Sequence, residues 1–168
     1  MTLSMSAVSI PVIKQMLGSL SAILEKAAAF AAQKKIDEQV LLSARLAPDM
    51  LPLTRQVQIA SDMCKGGMAR LAGVEIPKYE DTEASFAELQ ARIVKTLAFI
   101  ETLPTDAIDA SAERVIVIKL RDREITFTGL TNVLHWVFPH MIFHVTTAYD
   151  ILRHNGVELG KRDFIGSF

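Results

Sequence analysis

A chain of 168 residues, half of them apolar and 22% charged, has the length and composition of one globular domain, read as a single unit over 1–168. Its 18 Lys plus Arg balance 19 Asp plus Glu, so it lacks the electrostatic footprint that a nucleic acid or an anionic membrane would need. The single cysteine, Cys64, excludes an intrachain disulfide and a thiolate metal cluster, and suits a reducing, cytoplasmic setting.

The first lysine is Lys14, so no basic region opens a signal peptide. A first helix is expected from about Pro11, where a missing N–H costs nothing in the opening turn, to Lys34-Lys35. Ile13, Met16, Leu17, Leu20, Ile23, Leu24, Ala27 and Ala31 recur at helical spacing and mark its buried stripe. Asp37 to Leu46 suggests a short linking helix. Asp49 is a candidate N-cap for a second long helix over Met50–Leu71. The stripe of that helix is Leu53, Val57, Ala60, Cys64, Gly67 or Met68, and Leu71, with Gly73 as its stop. Asp62 groups with Arg55, Gln58 and Lys65 on a polar face. Gly66-Gly67 inside the helix implies close approach of a neighbour.

A third helix starts near Thr82, or at Ser85 with Glu88 in capping-box spacing, and ends before Pro104. The period then changes. Arg114–Leu120 is rich in β-branched residues and Glu124–Thr128 alternates, which reads as a β-hairpin. The last long helix should be capped by Thr131 and run to Asn155, with Gly156 in the left-handed stop position. Ile125–Tyr149 holds no Asp, Glu, Lys or Arg, but Gly129, Asn132, Pro139 and three histidines make it too polar for hydrocarbon. The fold class is therefore mostly α: a four-helix bundle with a short β-hairpin before the last long helix. Short links by themselves favour simple up-and-down order.

All four histidines, His135, His140, His144 and His154, lie in or at the end of the last helix. His140 and His144 stand one turn apart on the face that carries Val137, Met141, Ala148 and Ile151, so both point inward. Such a pair can present two imidazole nitrogens to one metal ion. His154 lies about 15 Å farther along the axis and cannot share that ion. Further ligands must come from another helix: Gln56 edges the buried stripe of helix two, and Asp49 lies seven residues earlier on the same side. The plainer alternative makes both histidines buried groups bonded to Gln56, Thr147 or backbone. Cys64 belongs to the apolar stripe and reads as inert core.

Phe138, Ile142, Val145 and Tyr149 draw a second apolar line on the last helix. Either the hairpin covers it, or a homodimer does.

The segment Pro139-His-Met-Ile-Phe-His144-Val-Thr-Thr-Ala-Tyr-Asp-Ile-Leu-Arg-His-Asn-Gly156, continuing to Asp163, resembles an uncharacterised branch of the DinB/YfiT-like superfamily. So does Leu46-Ala-Pro-Asp-Met-Leu-Pro-Leu-Thr-Arg-Gln-Val-Gln58. The resemblance covers nearly the whole chain and implies up-down-down-up helix order, which replaces the simple alternation. It also implies metal-dependent chemistry, because characterised members of the wider superfamily resemble metalloenzymes, some using low-molecular-weight thiols. Their site joins one histidine of helix two to a His-x-x-x-His on the last long helix. His140 and His144 match that last motif. The helix-two histidine has no counterpart here, where Gln56 and Asp49 occupy the neighbourhood, and the closer branch often has asparagine in place of His140. The functional expectation is thus a divalent metal, zinc or nickel, held by His140, His144 and Gln56 or Asp49 for hydrolysis or thiol-dependent group transfer on a small-molecule substrate. Its rival is a non-catalytic bundle that binds a small ligand or a protein.

Overall fold

The computed structural model describes residues 3–167. Four long helical segments carry the fold. They are α1 (Met5–Lys34), α3 (Leu53–Ala72), α4 (Phe86–Glu101), and a composite last helix made of α6 (Gly129–Asn132), a π-helical turn (Val133–Val137) and α7 (Phe138–His154). Short helices α2 (Glu38–Leu42), α5 (Thr105–Asp109) and α8 (Lys161–Ile165) fill the connections. Strands β1 (Ile116–Lys119) and β2 (Glu124–Phe127) pair antiparallel, with Ile116 opposite Phe127.

Helix starts follow their caps. α1 begins earlier than Pro11 because the Ser4 hydroxyl accepts from the Ala7 N–H, which nucleates a turn ahead of the proline. Pro11 then lies inside the helix on an exposed position. Asp49 does not cap α3. Pro52 holds Leu51 out of helical geometry, so the helix opens at Leu53, and Asp49 is left on an exposed turn. Ser85, not Thr82, caps α4, through its hydroxyl to the Glu88 N–H. Thr128 caps the last helix in a reciprocal box with Thr131, the residue expected to cap it. At the other ends, Lys35 and Gly73 adopt the left-handed conformation that closes α1 and α3.

Pairings along the helices give the topology. Lys14 near the start of α1 bonds Glu101 at the end of α4, so these two run antiparallel. Gln56 at the start of α3 meets His144 in α7, while Gly67 farther along faces Val137, so α3 and α7 are antiparallel too. α3 and α4 are parallel. The connecting segment 73–85 returns along α3 until Asp81 reaches Arg55 and Glu83 reaches Gln58. Its extended chain spans about 40 Å, enough to retrace the rise of about 30 Å made by the 20 residues of α3. Up-down-down-up order follows, because a parallel pair needs a crossover of this kind.

Ile13, Leu17, Leu20, Ile23 and Leu24 of α1 are fully buried and meet Leu53, Val57, Cys64, Leu71, Phe86, Leu89, Ile93, Met141 and Ile151 in one core. By length and composition α1 could cross a membrane; here its apolar side chains form the bundle interior. Gly67 lets the π-helical turn come close, since a Cβ there would meet Val137 Cγ2 at 2.4 Å. The second apolar line of the last helix divides. Val145 is buried and Tyr149 packs edge-on against Phe164 of α8, whereas Ile142 stays 44% exposed.

The polar face of α3 is only partly open to solvent, with Arg55 and Asp62 part-exposed. Gln58 and Lys65 are buried beneath segment 73–85, together with Arg92 of α4. Arg92 binds Asp62 (3.0 Å), Asp81 (3.0 Å) and Glu83 (2.8 Å), and also donates to the Glu80 carbonyl. The Tyr79 ring lies beside Lys65 Nζ (3.6 Å) and Lys95 Nζ (4.2 Å). Burial by itself would lower the Arg92 pKa. The Glu83 hydrogen bond and the surrounding carboxylates outweigh it, and the net shift is upward. The crossover is thus latched to the bundle by a buried cation.

Candidate metal centre

The last helix cannot be regular where it carries the histidines. Pro139 has no N–H for the carbonyl four residues back, and its ring crowds that carbonyl. The chain widens into a π-helical turn just before it, where the Phe138 N–H reaches the Val133 carbonyl. His140 follows directly. Its Nδ1 lies 2.7 Å from the Trp136 carbonyl inside that turn. A carbonyl only accepts, so His140 Nδ1 carries a proton, and in the neutral ring Nε2 keeps its lone pair.

His144 lies one turn on and is buried at 9% exposure. Its Nδ1 is 2.7 Å from Gln56 Oε1, and Gln56 Nε2 donates to the Leu51 carbonyl at 2.8 Å. The second bond orients the amide, so its oxygen must accept and His144 Nδ1 must donate. Burial first, and then repulsion from His140 whenever that ring is protonated, lower the His144 pKa from 6.5 to about 4. His144 is therefore a neutral imidazole at pH 7, with Nε2 unprotonated. Gln56 suits that state. It fixes the ring without adding the negative charge that would draw a second proton onto it.

Both imidazoles are anchored at Nδ1 and present Nε2, the arrangement that fixes tautomer and ring orientation in histidine metal ligands. Each also has an aromatic neighbour. Trp136 lies 4.2 Å from His140 between ring centroids and packs on Phe127 at 5.8 Å. Phe143 stands edge-on to His144 at 5.2 Å and is 55% exposed.

The other expected residues divide clearly. Gln56 is brought to the site, but as the hydrogen-bond partner of His144. An ion on His144 Nε2 would lie on the far side of the ring, roughly 6–7 Å from an oxygen bonded to Nδ1. Asp49 is on the exposed turn before α3, while Gln56 is buried within it. His135 and His154 are exposed. Among the described residues, no three His, Cys, Asp or Glu side chains are placed to hold one ion. Cys64 is fully buried, and desolvation pushes its thiol pKa up, so it has no nucleophilic character. The plainer sequence alternative, histidines bonded to Gln56, Thr147 or backbone, names the partners found here, Gln56 for His144 and a backbone carbonyl for His140, though it does not single out Trp136. Pro139 does not account for that bond, since the carbonyl that lacks its N–H is four residues back, at His135.

Residues 5–165 match the family model described as a domain of unknown function (DUF1993). The chain belongs to this family. A crystal structure of a DinB family member protein from Shewanella denitrificans is 42% identical over 96% of this chain and 91% of that one, with a TM-score of 0.86. No curated protein matches the chain significantly. The DUF1993 chain is thus a DinB-like helical bundle, as its His140-x-x-x-His144 segment suggested. The DUF1993 description assigns no reaction.

Proposed function

We propose that this protein holds a divalent metal ion, zinc or nickel, on His140 and His144, and uses it in hydrolysis or thiol-dependent group transfer on a small molecule. One observation carries the reading: both imidazoles donate Nδ1–H to fixed oxygens and keep Nε2 free on the same helix. The donor set fits a borderline metal, since neutral imidazole is a ligand of zinc and nickel alike. Gln56 is then a positioning residue and Asp49 takes no part. A bound ion would supply Lewis acidity toward a coordinated water or thiol. The protein's own contribution is to hold His144 neutral and aimed by burial and the Gln56 amide, and to aim His140 through the π-helical turn.

Elemental analysis of untagged protein after dialysis against zinc or nickel tests this. The expected result is one ion per chain, lost in His144→Ala. Metal content equal in wild type and His144→Ala would overturn the reading.

A second reading, a metal-free bundle that binds a small ligand or a protein, draws on the same site, because only two nitrogens are offered. It predicts that His140→Ala and His144→Ala change stability and leave metal content unchanged.

A further inference from the structure

The last helix changes face at its π-helical turn. In α7, Met141, Val145, Ala148 and Leu152 are buried and define the side turned to the core. Ahead of the turn the buried residues are Gly129, Asn132 and Val133, while Leu130 and Leu134 are 38% and 40% exposed. A regular α-helix continued back from α7 would do the reverse. At about 100° per residue it would put Leu134 and Leu130 within about 20° of the Met141 direction, and Asn132 about 180° from it. The extra residue held in the turn makes the difference, because it rotates everything before it by about 100°.

Two features work against the register seen here. Asn132 is fully buried, and neither its amide nitrogen nor its oxygen finds a hydrogen-bond partner among the described residues. Two leucines, one helical turn apart, stay partly in water. Other features favour it. Pro139 has no N–H, and its ring would crowd the His135 carbonyl of a regular helix. The Leu130 N–H bonds the Ala112 carbonyl, and Gly129 lies so close to Ser111 that a Cβ there would fall 2.0 Å from its carbonyl oxygen.

We propose that residues 129–137 form a two-register switch: the π-helical register exchanges with an α-helical one that turns Leu130 and Leu134 inward and Asn132 out to water. The Phe138 N–H then leaves the Val133 carbonyl, its present acceptor, for the Leu134 carbonyl four residues back. The Trp136 carbonyl, which accepts from His140 Nδ1 at 2.7 Å, lies inside the turn, so its place relative to the ring changes with the register. The switch thereby sets how His140 is aimed, independently of the metal reading. Ile142 and Phe143 follow the turn and keep their faces in both registers.

NMR relaxation dispersion reads helix register shifts, which fall in the microsecond-to-millisecond range. On the full chain, exchange is expected at the amides of 130–138 and at the indole N–H of Trp136, the only tryptophan, and not in the body of α7. Leu134→Ser removes a side chain that only the α register buries. It should lower the minor population about fivefold or more, with little change in the urea midpoint. Pro139→Ala removes the clash that opposes a regular helix and should raise that population about tenfold or more. Nuclear Overhauser contacts from the Leu134 methyls to α3 should appear in Pro139→Ala, a change that mere loosening of the turn would not give. Flat profiles across 130–138 in the wild type overturn the proposal. So do profiles that are equal in all three chains, or a Pro139→Ala chain in which Leu134 gains no contact.

Discussion

His144 donates its Nδ1 proton to the Gln56 side-chain oxygen across 2.7 Å, and Gln56 in turn donates to the Leu51 carbonyl at 2.8 Å. This relay ties the last helix to the start of α3 at the edge of the core. Gln56→Leu keeps the volume and removes both bonds, leaving the His144 N–H unpaired in a buried place. The expected loss is about 1–3 kcal/mol of stability, read by urea denaturation. A metal titration of the same variant should show affinity reduced about 10- to 100-fold. An unchanged midpoint and affinity would remove Gln56 from the site.

Acid should act on the fold through His144. Its pKa falls from 6.5 in the unfolded chain to about 4 in the folded one. Above pH 6.5 the imidazole is neutral in both states and the stability is fully present. Between pH 6.5 and about 4 the unfolded chain takes up a proton that the folded chain refuses, so stability declines, by about 3 kcal/mol in all. Denaturation midpoints measured across this range should slope in wild type and be flatter in His144→Ala. An NMR titration of the ring places the folded-state value directly.

Arg92 should be the most sensitive position of the crossover. Its side chain is 2% exposed and holds Asp62, Asp81 and Glu83. Arg92→Met leaves these carboxylates facing one another without their cation, with an expected loss of about 3–5 kcal/mol. Limited proteolysis should then cut within 73–85 faster than in wild type. Acid should release the same strap. Although burial opposes it, pairing with Arg55 and Arg92 holds the Asp81 carboxyl below its usual range, and Arg92 and Gln58 do the same for Glu83. The stabilisation is present above the unfolded carboxylate pKa and lost as pH falls through the depressed values. Hydrogen exchange in 73–85 should accelerate there.

Gly67→Ala tests the approach of α3 to the π-helical turn. The added methyl would fall 2.4 Å from Val137 Cγ2 on a helical backbone with little freedom to yield. A loss of about 1–3 kcal/mol is expected despite the better helix propensity of alanine. Gly67→Ala combined with Val137→Ala should recover part of it. A stabilised single variant would show that the two helices can part there.

We also propose a homodimer, joined through the part of the last helix that the bundle leaves open. Leu134, Ile142 and Phe143 are 40%, 44% and 55% exposed. Light scattering at micromolar concentration should give about twice the 18.5 kDa chain mass. Ile142→Asp should then return monomer. A wild-type mass at the single-chain value overturns the proposal.

What the sequence by itself determined was periodic. The stripes of α1, α3 and α4, the hairpin at 116–127, and the inward face of His144 follow from spacing, because a helix that buries one face must repeat its apolar residues every third or fourth position. The His140-x-x-x-His144 spacing was legible for the same reason. Only the tertiary structure decided the partners. Short links by themselves favoured simple up-and-down order; the up-down-down-up order came through the resemblance, and the run of 73–85 back along α3 gives its physical reason. Arg55, Gln58, Asp62 and Lys65 read as a polar face, and polarity does not say whether water or a returning strap covers it. Gln56 was legible as a hydrogen-bond partner of the histidines, but which histidine it would meet, and at which ring nitrogen, was not. That role depends on which lone pair faces which hydrogen, a matter of ångströms between helices 88 residues apart in the chain. Local periodicity is written residue by residue, whereas the geometry of a site is set by how separate elements come to rest against each other.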